Sequence, residues 1–288
     1  MKKVLALTLS AFTAITLISC ANVEENNDFT NIPTETMVTT IPIITTEPNE
    51  TVAQTIPTEP IIIKEDITFS YEYISEEDVM PYGLFTPSTA KNNKKTPLIV
   101  WLHGSGEKNI NKIDFPDRGL PYVLNTWTLE GFNAYVLCPH LTGKWNYGDW
   151  HNTKSKENIQ TLIDKFTNEH NINTDKIIIA GHSLGAQGAL YMAHELPDYF
   201  SKMVILSGFW TNVDISKITI PSIGYVGMIS YGEHESSSNY MHRYFMPTFG
   251  QENTFIMQSS HSNLPFIAFN EDKDNNGNSD VIEWMLYN

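Results

Sequence analysis

Gly181-His182-Ser183-Leu184-Gly185 sets a serine between two glycines, with Ile177-Ile178-Ile179-Ala180 before it and an Ala- and Gly-rich stretch after it. Such a run reads as strand, turn and helix, and a serine on so sharp a turn carries its hydroxyl above the sheet. The turn closes only where the flanking positions lack bulky side chains, a need that Gly181 and Gly185 meet. A hydroxyl presented in this way can attack a carbonyl carbon once a base takes its proton. The amide of Leu184, at the helix start, then faces the charge that develops on the carbonyl oxygen.

A second small-residue loop, His103-Gly104-Ser105-Gly106-Glu107, ends the apolar run Pro97 to Leu102. A further oxyanion donor is needed at such a place. The base should come late, after the last strand, and His261 does so, between Thr254 to Ser260 and the turn His261-Ser-Asn-Leu-Pro that precedes a new helix. The other histidines have weaker claims. His182 reads as pointing away from its neighbour, His103 as part of the loop frame, and His170 and His194 as helix ends, while His140 and His151 could touch substrate.

These two loops resemble those of the α/β-hydrolase superfamily, and more narrowly its branch of predicted peptidases, phospholipase/carboxylesterase-like and polyhydroxybutyrate-depolymerase-like esterases. The resemblance spans Ile67 to Asn288 and implies the backbone amide of Ser105 as the second oxyanion donor. An arginine often follows the glutamate in that branch, whereas Lys108 does so here, which leaves the partner of Glu107 open. The family's aspartate after the penultimate core strand is also absent, and Ser230 stands in its place. Glu233 is the preferred orienting carboxylate from its spacing to the helix-like Asn239 to Phe245, with Glu235 as the alternative and Asp214 third.

The elements that must hold these groups are legible as runs. Ile67 to Tyr73 alternates as a strand does, and Met80 to Thr86 gives a second short extended piece, so the sheet opens antiparallel. Pro97 to Leu102, Ala134 to Cys138, Ile177 to Ala180, Met203 to Leu206, Ile220 to Val226 and Phe255 to Met257 are continuous apolar runs, as strands buried on both faces require. Helical spacing recurs over Ser155 to His170, through Ile159, Leu162, Ile163 and Phe166, and over Leu184 to Leu196. The expected fold is a doubly wound, mostly parallel α/β sheet with helices on both faces and ligands at the carboxyl ends of its strands.

Leu141 to His151 follows a core strand and carries Trp145, Tyr147, Trp150 and His151, the expected substrate wall. Near the C-terminus, Asp272, Asp274, Asn276, Asn278, Asp280 and Glu283 fall at the ligand positions of a twelve-residue EF-hand loop, with Gly277 at its turn. Ser279 stands where paired EF-hands place an apolar residue, so the expectation is one structural Ca²⁺ pinning a last helix, Val281 to Tyr287; catalysis itself calls for no cofactor.

Lys2 and Lys3 precede an apolar run, Val4 to Ile18, of the kind that an export signal carries, and the run ends in Leu17-Ile18-Ser19-Cys20. That ending resembles the bacterial lipobox, which implies lipidation of Cys20. From Ala21 to Pro60 the composition turns to Thr, Pro, Glu and Asn, with no glycine or basic residue and Phe29 as the sole aromatic, too little apolar surface for a packed core. The expected organisation is a lipoprotein signal peptide over 1–19, a Thr/Pro/Glu-rich tether over 20–62 and a catalytic domain over 63–288, held at a bacterial cell surface by the N-terminal lipid alone.

A formal net charge of −15 with no basic stretch argues against nucleic acid as a partner. Cys138 lies inside an apolar run and reads as a small buried hydrophobe rather than a nucleophile. The expected activity is hydrolysis of carboxylic esters, small or borne on polysaccharide, with acyl or feruloyl groups favoured. A serine peptidase of the same fold and a non-catalytic surface-binding module are the alternatives.

Overall fold

Side chains of the strand Thr96–Leu102 divide between two cores, Leu98, Val100 and Leu102 on one face and Ile99 and Trp101 on the other. None is more than 1% exposed, as a strand covered on both faces demands. The structure, a computed structural model, describes residues 67–92, 94–111, 115, 118–126, 131–208, 212–227, 238–273 and 279–287. The signal and tether expected over 1–62, with Cys20, lie outside the described residues. So do Glu233, Glu235, Asp274, Asn276 and Asn278.

The strands are β1 (Phe69–Ile74), β2 (Tyr82–Pro87), β3 (Thr96–Leu102), β4 (Tyr135–Pro139), β5 (Ile172–His182), β6 (Lys202–Leu206), β7 (Ser222–Gly227) and β8 (Thr254–Met257). They form one eight-stranded sheet in the order β1-β2-β4-β3-β5-β6-β7-β8. β1 and β2 pair antiparallel, β2 meets β4 antiparallel, and every pairing from β4 onward is parallel. Each expected apolar run meets a strand, although Ala134, Ile220 and Pro221 precede β4 and β7. β5 starts at Ile172 rather than Ile177, because its polar first residues extend beyond the buried part of the sheet.

Helices α2 (Thr153–Glu169) and α3 (Leu184–Glu195) cover the face that holds Leu98 and Val100. Asn152 caps α2 by accepting the Ser155 N–H at 2.9 Å, and Ile159, Leu162, Ile163 and Phe166 form its buried stripe. Burial of each such side chain contributes about 1.5–3 kcal/mol. On the same face a π-helical turn, Met241–Phe245, leads into α4 (Met246–Phe249) and packs Met241 and Phe245 into the core.

The opposite face is covered by α1 (Gly119–Thr126), α5 (Leu264–Ala268) and α6 (Asp280–Leu286). α1 is a helix that the sequence pattern does not announce. Register then decides where chemistry can occur. Leu102 of β3 lies opposite Gly181 of β5, so the loop after β3 and the turn after β5 leave the sheet side by side.

Candidate active site

Between β5 and α3 the chain turns on Ser183 alone, at φ 56° and ψ −118°. A non-glycine residue at positive φ is strained, and such strain persists only where the surroundings enforce it. Here they do. A Cβ on Gly185 would overlap the carbonyl of Leu102, and one on Gly181 would overlap the backbone of Gly185, so strand, turn and helix touch backbone to backbone. The Ser183 N–H donates to the carbonyl of Leu206 at 2.8 Å, and its carbonyl accepts from the amides of Ala186 and Gln187.

The loop after β3 lies against this turn. A Cβ on Gly104 would sit 3.5 Å from the Ser183 Cβ and 3.2 Å from Glu107 Oε2. Ser105 opens the short 3₁₀ turn Ser105–Glu107 and Leu184 opens α3. Amides at first helical positions have no partner within their own helix and are free to serve an anion. Glu107 is buried, which raises its carboxyl above the ordinary carboxylate range, while the Arg118 guanidinium opposes the shift. The cation acting on Glu107 is therefore Arg118, at the start of α1. Lys108 instead donates to the Gly148 carbonyl at 2.9 Å.

His103 is an internal brace. Its Nδ1–H donates to the Gly104 carbonyl at 2.6 Å and its Nε2 accepts the Leu141 N–H at 3.1 Å, which fixes a neutral tautomer. Burial pushes its pKa down to about 3. His140 is likewise buried and neutral, its pKa lowered by burial to about 4, with Nε2–H donating to the Glu107 carbonyl and Nδ1 accepting from Tyr73.

His261 stands in the turn between β8 and α5. Its side of the sheet and that of Ser183 line one cavity of about 480 Å³, together with Ser105, Arg118, His182 and Phe266. His182 corrects the expectation that it points away. Its Nε2–H donates to the His261 carbonyl at 2.9 Å, and the two rings lie with centroids 4.6 Å apart. Gly227 ends β7 beside this turn, since a Cβ there would lie 2.6 Å from the Ser259 carbonyl. Glu233 and Glu235 lie outside the described residues.

The expected substrate wall is not where the cavity lies. Trp150 is fully buried, its indole N–H donating to the His103 carbonyl at 2.9 Å, so it is core and not lining. Trp145 and Tyr147 pack half-buried against the same core, and Tyr147 accepts from the Asn158 amide. His151 faces Asp149 at 3.2 Å. None of the four lines the cavity beside Ser183. Its walls come instead from Arg118, just before α1, from Gly119 of α1 and from Asn263, Pro265 and Phe266 around α5. Asp214, the third candidate acid, is an exposed cap of the turn Ile215–Lys217, accepting the Ser216 N–H and hydroxyl.

Among known proteins, the Esterase family model, described as "Putative esterase", matches residues 127–255. No curated protein matches the sequence. A thermostable esterase superposes with a TM-score of 0.53 at 19% identity, over 75% of this chain and 62% of its own. The chain thus spans less than two thirds of that esterase. The fluorophosphonate-binding serine hydrolase FphF of Staphylococcus aureus superposes with a TM-score of 0.54 at 13% identity, over 77% of this chain and 100% of its own. The S-formylglutathione hydrolase FrmB of S. aureus gives 0.51 at 13%, over 76% and 96%. The chain has the α/β-hydrolase fold. The cavity lies at the strand ends, as ligand sites of open α/β sheets do. Arg118 and Phe266 went unread because no motif marks their positions.

Proposed function

We propose that the chain is a serine ester hydrolase in which Ser183 is the nucleophile and His261 its general base. The observation that carries the reading is the strained Ser183 in one cavity with His261, beside two helix-opening amides. His261 takes the hydroxyl proton as Oγ adds to the ester carbonyl carbon. The oxyanion lies against the amides of Ser105 and Leu184. Collapse breaks the C–O bond, and the leaving alcohol takes the proton from His261. Water then repeats the two steps on the acyl-enzyme and releases the acid. Glu233, or Glu235, orients the imidazole from the stretch after β7.

The cavity joins the Phe266 ring and Pro265 to polar Ser262 and Asn263, a mixture suited to an aromatic acyl group carried on a polar alcohol. Acyl or feruloyl esters on polysaccharide are the proposed substrates. Lipidation of Cys20 and the tether over 20–62 would hold the domain outside the cell, and the C-terminal loop would bind one Ca²⁺. The test is Ser183→Ala: it should abolish hydrolysis of aryl and feruloyl esters and labelling by a fluorophosphonate, with melting preserved. Turnover retained in that variant removes the nucleophile.

A further inference from the structure

We infer that His182 is a positioning residue that holds the His261 turn at the height of the nucleophile. The inference rests on the proposed roles of Ser183 and His261. His182 is the last residue of β5 and is covalently next to Ser183, so its place is fixed by the same contacts that enforce the strained turn. Its side chain then crosses to a segment 79 residues later, where Nε2–H donates to the His261 main-chain carbonyl at 2.9 Å. The bond goes to the backbone and not to the ring. It sets where the turn sits.

The second contact restrains the ring itself. The imidazoles lie 4.6 Å apart at 41°, so the His182 face limits the torsions that His261 can adopt. Within the turn the Ser260 carbonyl accepts from Asn263 at 3.2 Å and from Leu264 at 3.1 Å, and the His261 carbonyl accepts the Leu264 N–H at 3.4 Å, while β8 before it is a short edge strand. A loop at the edge of a sheet drifts unless something rigid holds it. His182 supplies this hold from the sheet centre, a step away from the attacking oxygen.

Two substitutions separate the contacts. Gln at 182 keeps an N–H donor at comparable reach and loses the aromatic face, and Phe keeps the face and loses the donor. His182→Ala should lower kcat on the order of 10- to 100-fold, the cost of a misplaced catalytic group, with KM within about twofold. His182→Gln should recover most of that loss and His182→Phe little of it. The rate of fluorophosphonate labelling should follow the same order, and melting should stay within a few degrees for His182→Gln. A kcat in His182→Ala within about twofold of wild type overturns the positioning role, and so does a loss that Phe restores better than Gln. His261→Ala and Ser183→Ala run beside them. Activity retained in either sinks the nucleophile and base assignment instead, so the two failures are told apart.

Discussion

The indole N–H of Trp150 donates to the main-chain carbonyl of His103, 2.9 Å away, and so ties the loop after β4 to the loop beside Ser183. α3 makes room for the ring, because Gly188 carries no Cβ where one would overlap Trp150. The residue that composition assigns to the substrate therefore holds the frame.

Trp150→Phe should accordingly act on stability. It retains most of the buried volume and leaves the His103 carbonyl without its donor, a cost of about 1–3 kcal/mol. The expected result is a lower melting temperature with the relative kcat/KM across aryl esters of different size unchanged. A reordered substrate ranking without a thermal shift would return Trp150 to the binding wall.

Ser183 offers a test of strain independent of chemistry. At an ordinary site glycine is less stable than alanine by roughly 0.5–1 kcal/mol, because the unfolded glycine chain has more freedom. At φ 56° the sign should reverse, since a Cβ there costs on the order of 1–3 kcal/mol. Both Ser183→Gly and Ser183→Ala should be inactive, and Ser183→Gly should melt higher. Equal or inverted melting would mean that the turn relaxes when its serine is removed.

The sheet was legible because strands buried on both faces are apolar throughout, as Ile177 to Ala180 and Met203 to Leu206 are. The turn was legible for a related reason: backbone contact at Gly185 leaves glycine no substitute. α1 was not, since Gly119, Pro121 and Asn125 are poor helix formers and its stability comes from Leu120 and Val123 packing on the sheet. The cavity walls failed differently. Aromatic residues serve cores and binding sites alike, and composition does not separate Trp150 in a core from Phe266 in a wall. The role of His182 needed the fold, because its partner is distant in the chain.

Stability should fall as acid is added, through His103 and His140. Burial holds their folded pKa values at about 3 and about 4, against roughly 6.5 when unfolded. Between these limits the unfolded chain binds protons that the folded one refuses. The contribution of the pair is complete above pH ~6.5 and is lost as the pH falls toward the folded values, at about 1.4 kcal/mol per pH unit for each histidine. Urea midpoints measured from pH 7 to pH 5 should drop accordingly, and His140→Gln should make the slope shallower. An unchanged slope in that variant would mean that His140 titrates alike in both states.

The C-terminal loop closes on itself at both ends. The Asp280 N–H donates to the Glu271 carbonyl at 2.8 Å, and its carboxylate accepts the Lys273 N–H at 3.3 Å. α6 follows at once, with Val281, Ile282, Met285 and Leu286 buried on the sheet, and Lys176 and Lys202 donate to its last carbonyls. Asp280 thus anchors the helix whatever occupies the loop, and a cation drawn by the other EF-hand positions would add to an anchor already made. A ligand that binds only the folded form stabilises it by about 2.7 kcal/mol at a hundred times its Kd. Calcium at such excess should raise melting, chelator should reverse the gain, and Asp272→Asn with Glu283→Gln should erase the difference while the loop keeps its Asp280 closure. Titration without heat, together with identical melting in calcium and in chelator, would mean that the start of α6 is held without a cation.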